Sequence, residues 1–217
     1  MRRTVVGVVG AVCCAVGLEG ASFSDAVADF EQGAYIKAFD TFLSLAQEGD
    51  PEASFNTAMM YEKGKGVGMD IRAAMAWYKK AAKKGYAPAA YNLGVLIEKE
   101  HKPHWAPKAR FWYDKAIEHH VTQAYNNAAL LYLGAPEVTR DSAKAIRLLH
   151  EGAKSGDGAA MFNLGILYLE GKYGVPVDKL KAYEYLTKAF QKGYKQAERY
   201  LERLCKTSPW VCQNSGV

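Results

Sequence analysis

The sequence is short of the features that announce an enzyme. It contains no H-E-x-x-H, no G-x-S-x-G and no S-x-x-K, the patterns that carry zinc-protease, esterase and acyl-serine chemistry. Its one glycine-rich stretch, Gly64-Lys65-Gly66-Val67-Gly68, has no strand before it and no G-K-[ST] ending. It reads as an inter-helix loop rather than a phosphate cradle. Cysteine is scarce, with 4 in 217 residues, so neither a disulfide-dense scaffold nor a Cys-rich metal site is available. Strand-like runs are absent after the first twenty residues. Charge of one sign is also missing: 28 Lys and Arg against 23 Asp and Glu leave only +5, scattered along the chain, which does not point to nucleic acid. With 49% hydrophobic residues, 7 Pro and 20 Gly, the composition is globular, and disordered or collagen-like chains are excluded. An alanine-rich, all-helical protein is the leading expectation.

The N-terminus departs from the rest. Arg2 and Arg3 precede an apolar run from Thr4 to Leu18. A bilayer span takes roughly 20 residues, so this shorter run reads as a secretory signal over residues 1–21, cleaved near 17 or 21. The alternatives are an uncleaved anchor and, less favoured, a lipoprotein at Cys13. Export implies a periplasmic or secreted protein with no stable membrane insertion after cleavage. Cys13 and Cys14 leave with the signal. Cys205 and Cys212 remain, in CKTSPWVC, an even pair expected to form a disulfide that staples the tail. Closing so short a loop contributes about 2.5 kcal/mol in the chain-entropy model.

An internal repeat organises what remains. Asn56, Asn92, Asn127 and Asn163 recur at intervals of 35 to 36 residues. Two positions after each stands a small residue (Ala58, Gly94, Ala129, Gly165), and five after, Tyr61, Ile97, Tyr132 or Tyr168. A second ladder runs through Ala38, Ala74, Ala109, Ala145 and Ala182. Ala74, Trp77, Tyr78 and Ala81 fall at i, i+3, i+4 and i+7, one face of a helix. Asp70, Asp141 and Asp178 lie four residues before the alanine ladder, where they can cap the second helix. Gly85, Gly156 and Gly193 end their units at positions suited to a left-handed C′ residue, with His120 in the equivalent place. Each unit is a helix hairpin that buries its apolar face only by stacking on its neighbours.

Segments such as AAYNLGVLI and AMFNLGILYLEGKYGVPVDKLKAYEYLTKAFQKGY resemble Sel-1-like repeats, relatives of tetratricopeptide repeats. The resemblance implies an all-α solenoid of stacked helix hairpins wound as a right-handed superhelix. It divides the chain into a degenerate N-terminal hairpin (22–50), four repeats (51–86, 87–121, 122–157, 158–194) and a capping helix with the stapled tail (195–217). It also implies a non-enzymatic scaffold or adaptor that binds a protein or extended peptide, with no cofactor. Two loops depart from the pattern: EKEHKPHWAPKA, where Trp105 takes the place of the capping Asp, and the shortened LGAPEVTRD.

By analogy with tetratricopeptide repeats, the first helix of each unit lines the concave face. The residues implied there are Phe55, Asn56 and Met59; Tyr91, Asn92 and Val95; Asn126, Asn127 and Leu130; and Phe162, Asn163 and Ile166. Asparagine carries donors and an acceptor that match an extended peptide backbone, or that equally bond a neighbouring helix. His101, His104, His119 and His120 cluster in the second repeat, but the two pairs sit at opposite ends of one helix, roughly 20 Å apart, so no metal site is expected. Lys79-Lys80 and Lys83-Lys84 read as a solvated outer face. A second reading is an envelope factor that contacts peptidoglycan or another glycan through basic and aromatic surface residues. A remote third is a β-lactam-binding or hydrolysing enzyme, against which the repeats' lack of paired cysteines argues.

Overall fold

The structure, a computed structural model, describes residues 22–213. The expected signal segment with Cys13 and Cys14 lies outside them. Among the described residues every regular element is a helix: α1 (Phe23–Glu31), α2 (Tyr35–Glu48), α3 (Pro51–Lys63), α4 (Ile71–Lys83), α5 (Ala87–Glu100), α6 (Trp105–Ile117), α7 (Thr122–Gly134), α8 (Ser142–Lys154), α9 (Gly158–Glu170), α10 (Lys179–Gln191), α11 (Gln196–Thr207) and α12 (Pro209–Gln213). Each packs on the next in chain order. The result is an α-solenoid in which α3–α4, α5–α6, α7–α8 and α9–α10 are successive hairpins, preceded by α1–α2 and closed by α11.

The helix boundaries follow from capping chemistry. Asp70 accepts from the Arg72 and Ala73 amides at 2.9 and 3.0 Å, Asp141 from Lys144 at 2.8 Å and Asp178 from Lys181 at 3.0 Å, which satisfies otherwise orphaned N–H groups. The second repeat differs from expectation. Its cap residue is His104, at φ 60° with no side-chain cap bond, and Trp105 is already the first helical residue. Trp105 instead packs its ring on His101 at 4.6 Å. At the other end of each unit Gly85, Gly156 and Gly193 take φ of 85–90°, and His120 takes 58°.

Close approach of the two helices in a hairpin explains the small residue two places after each Asn. A Cβ on Gly94 would lie 2.6 Å from the Tyr113 ring, and one on Gly165 would lie 2.7 Å from Leu186. The five alanines of the second ladder are fully buried. Side chains at unit boundaries belong to two cores at once: Tyr61 and Trp77 join the first hairpin's core to the next, Trp112 joins the second to the third, and Leu148 the third to the fourth. The hydrophobic interior is therefore continuous along the stack.

The lysine cluster on α4 is not uniformly solvated. Lys80 donates to the Ala46 carbonyl and Lys84 to the Gly49 carbonyl, both at 2.6 Å. These ammonium groups sit on the last carbonyls of α2, where the helix dipole favours positive charge. Lys79 and Lys83 remain exposed. At the C-terminus Cys205 and Cys212 are disulfide-bonded. Val211 and Leu204 pack with Ala182 of α10, and Lys179 donates to the buried Ser208 hydroxyl at 2.7 Å.

Candidate functional site

Two first helices of successive repeats, α7 and α9, are in direct contact. The short side chains of Asn126 and Asn163 span α7 and α9 at 2.6 Å. The second helices α8 and α10 are bridged where the Tyr185 hydroxyl meets His150 at 3.2 Å. Burial chiefly, and then the carboxylate of Asp157, the N-cap of α9, raise the Tyr91 phenol above the ordinary range.

One stripe that recurs along the first helices is apolar. Met59, Val95, Leu130 and Ile166 occupy the same register, three residues after each Asn. Leu130 is 46% exposed, while Met59, Val95 and Ile166 are half-buried. Phe55, Tyr91 and Phe162 lie alongside but are already engaged. Phe55 packs on Tyr78 and Tyr86, Tyr91 on Tyr113, and Phe162 on Tyr194 and Tyr200, with ring centroids 5.1–6.0 Å apart. Asn126, expected to face the groove, is instead buried at 7% exposure.

The asparagines knit the units together. Asn92 donates to the Tyr78 hydroxyl of the preceding unit at 3.2 Å, and Tyr78 donates to Glu62 at 2.9 Å. One unit on, Asn127 donates to Tyr113 at 3.3 Å and Tyr113 to Glu98 at 2.7 Å. Burial first, and then the neighbouring carboxylates, push both phenols far above the usual tyrosine range. Asn56 bonds only its own helix, at the Glu52 carbonyl, 3.0 Å away. In the third and fourth units the Glu–Tyr pair is replaced on both sides at once, by Leu133 with Leu149 and by Leu169 with Leu186. With no hydroxyl at Leu149, Asn163 turns to Asn126. The joint exchange of Glu-and-Tyr for Leu-and-Leu at fixed offsets from the Asn is the sequence signal of this network.

Elsewhere, Tyr132 accepts from Arg110 at 3.0 Å and Lys144 at 2.6 Å and donates to Asp114 at 3.2 Å, tying α6, α7 and α8 together. His101 and His104 sit at one end of α6, and His119 and His120 at the other. His104 pairs with Glu137, joining the two divergent loops. Among the described residues no three His, Cys, Asp or Glu side chains converge as metal ligands. An open cleft of about 950 Å³ lies away from this stripe, where the α3–α4 loop meets the α1–α2 loop. Gly66 permits that contact, since a Cβ there would lie 2.2 Å from the Tyr35 carbonyl oxygen.

Comparison with known proteins agrees with this fold. The crystal structure of a Sel1 repeat protein from Oxalobacter formigenes superimposes with a TM-score of 0.68 at 27% identity, covering 77% of this chain and 74% of that one. The structure of c5321, a protective antigen of uropathogenic Escherichia coli with an SLR fold, gives 0.66 at 29% identity, over 71% of this chain and 33% of the antigen. Chitin synthase regulator SKT5 of Saccharomyces cerevisiae is 30% identical over 129 residues, which are 55% of this chain and 18% of the regulator. The chain spans only 17–31% of the length of the curated relatives it matches. The Sel1 repeat model matches residues 51–86, 87–120, 122–157 and 158–194, and the chain belongs to the Sel1 repeat family.

Proposed function

We propose that this protein is an exported, non-enzymatic adaptor that binds a segment of a partner protein along the inner stripe of its solenoid. Sel1 repeats generally mediate protein–protein interactions, which supports the class. The observation that carries the site is Leu130, a large apolar side chain 46% exposed in the middle of a register-matched apolar row. Exposed apolar residues standing singly are ordinary, but a row that repeats with the fold is the signature of an interaction surface. The asparagine rungs are second to it. Each of Asn92 and Asn163 spends one N–H on the neighbouring unit, which leaves a second N–H and a carbonyl oxygen for a peptide backbone. The Cys205–Cys212 disulfide supports export, because such bonds persist in oxidising compartments.

A display library of random peptides panned against the mature protein tests the reading. Peptides with spaced apolar side chains are expected to be selected and to bind Leu130→Asp at least about tenfold more weakly, with the circular dichroism spectrum unchanged. Selected peptides that bind Leu130→Asp as well as wild type would move the site to the loops or the outer face. Retention on purified cell wall that is lost on adding salt, with no peptide selected, would favour the glycan reading.

A further inference from the structure

The first-helix row does not stop at the fourth repeat. Ala53, Ala89, Ala124 and Ala160 are the fully buried alanines that open the first helices, and Ala197 of α11 is the next of the series, also fully buried. In this register α11 is a fifth first helix. Arg199 follows Phe55, Tyr91, Asn126 and Phe162; Tyr200 follows the four asparagines; and Arg203 follows Met59, Val95, Leu130 and Ile166. Contact confirms the continuity, since the Tyr200 ring packs edge-on against Phe162 with centroids 5.4 Å apart. Arg199, Tyr200 and Arg203 together line a small cavity of about 230 Å³.

The row thus changes character at its last rung, from apolar to doubly cationic. Both arginines are exposed. Among the described residues neither is in a salt bridge, although Glu198 and Glu202 share their helix. A tyrosine hydroxyl stands between them in sequence. Two guanidinium groups with a phenol offer planar, charge-assisted donors suited to a carboxylate.

The geometry points to a partner segment that is acidic at one end: its apolar side chains lie on the row, and a carboxylate side chain, Asp or Glu, docks between Arg199 and Arg203. This rests on the groove reading above and extends it. First helices in contact lie about 10 Å apart, which an extended chain covers in about three residues. The expected pattern is therefore an apolar residue at Leu130, another about three residues on at Ile166, and the carboxylate about three beyond that.

The test uses a fluorescently labelled, end-capped peptide with two leucines and one glutamate at that spacing, its Glu→Gln counterpart, and the full mature protein. Wild type is expected to bind the glutamate peptide about tenfold more tightly than the glutamine peptide, with the advantage shrinking as salt rises. Arg199→Gln with Arg203→Gln is expected to bind both peptides equally, at the level of the glutamine peptide on wild type. Leu130→Asp is expected to weaken both. Both arginines are exposed, so an unchanged melting curve is expected and serves as the folding control. Equal binding of the two peptides to wild type, with both lost in Leu130→Asp, would overturn the arginine assignment and leave the groove standing. Binding of neither peptide would overturn both. Displacement of the glutamate peptide by polyphosphate, with the glutamine peptide unaffected, would replace the acidic-segment assignment with a general polyanion site.

Discussion

Asn163 donates to the carbonyl oxygen of Asn126 at 2.6 Å, across two helices that belong to different repeats. The equivalent asparagines, Asn92 and Asn127, donate instead to tyrosine hydroxyls. The difference follows from one substitution in the repeat. Leu149 stands where Tyr78 and Tyr113 stand, and it offers no acceptor. Asn126, itself buried, supplies the acceptor through its side-chain oxygen.

Asn126→Ala therefore removes an acceptor from a partly buried amide as well as a bond. A loss of about 1–2 kcal/mol is expected, measured by denaturant unfolding. A double-mutant cycle with Asn163→Ala is expected to recover a coupling of about 1 kcal/mol. Additive losses would show that the contact is incidental.

The two buried Glu–Tyr pairs predict a specific alkaline sensitivity. Tyr78 and Tyr113 hold their protons in the folded state to higher pH than in the unfolded state, where a tyrosine titrates near 10. Below about pH 10 this contribution is fully present. Above it the unfolded state loses protons that the folded state keeps, so stability falls by about 1.4 kcal/mol per pH unit for each tyrosine. Denaturant midpoints measured from pH 9 to 11 are expected to fall less steeply in Tyr78→Phe with Tyr113→Phe than in wild type. Parallel slopes would contradict the assignment.

Reducing the disulfide is expected to act locally. Val211 is buried against α10 and Leu204, and the bond holds it there across a short loop. Cys205→Ser with Cys212→Ser is expected to expose the segment after Thr207 to limited proteolysis and to alter Trp210 fluorescence, while helicity over α1–α10 is kept. Loss of the whole helical signal would mean that the staple supports the stack rather than its end.

The period, the hairpins and the aspartate caps were legible because they depend on local chemistry repeated at fixed offsets. Asp70, Asp141 and Asp178 each act within their own helix, and sequence spacing alone locates them. What spacing did not reveal were contacts set by the third dimension. Lys80 and Lys84 resembled a solvated face because their acceptors, the carbonyls of Ala46 and Gly49, lie about 35 residues away. Trp105 was placed at the cap position, and the left-handed turn at His104 displaced it by one residue. Spacing leaves the asparagine ladder open to a structural or a ligand-binding role, and Asn92, Asn127 and Asn163 each bond a neighbouring unit. Arg199, Tyr200 and Arg203 escaped notice because α11 keeps the register of the repeat but not its asparagine.

A binding surface on the first-helix row reports its ligand at the row's own methyl groups. Methyl-resolved nuclear magnetic resonance, with the glutamate peptide titrated into protein labelled at Val, Leu and Ile methyls, tests it most directly. Saturable shifts are expected at Val95, Leu130 and Ile166, while Val67, Val138 and Val177 in the loops stay unchanged. Shifts confined to those loop valines, with the methyls of the row unmoved, would contradict it.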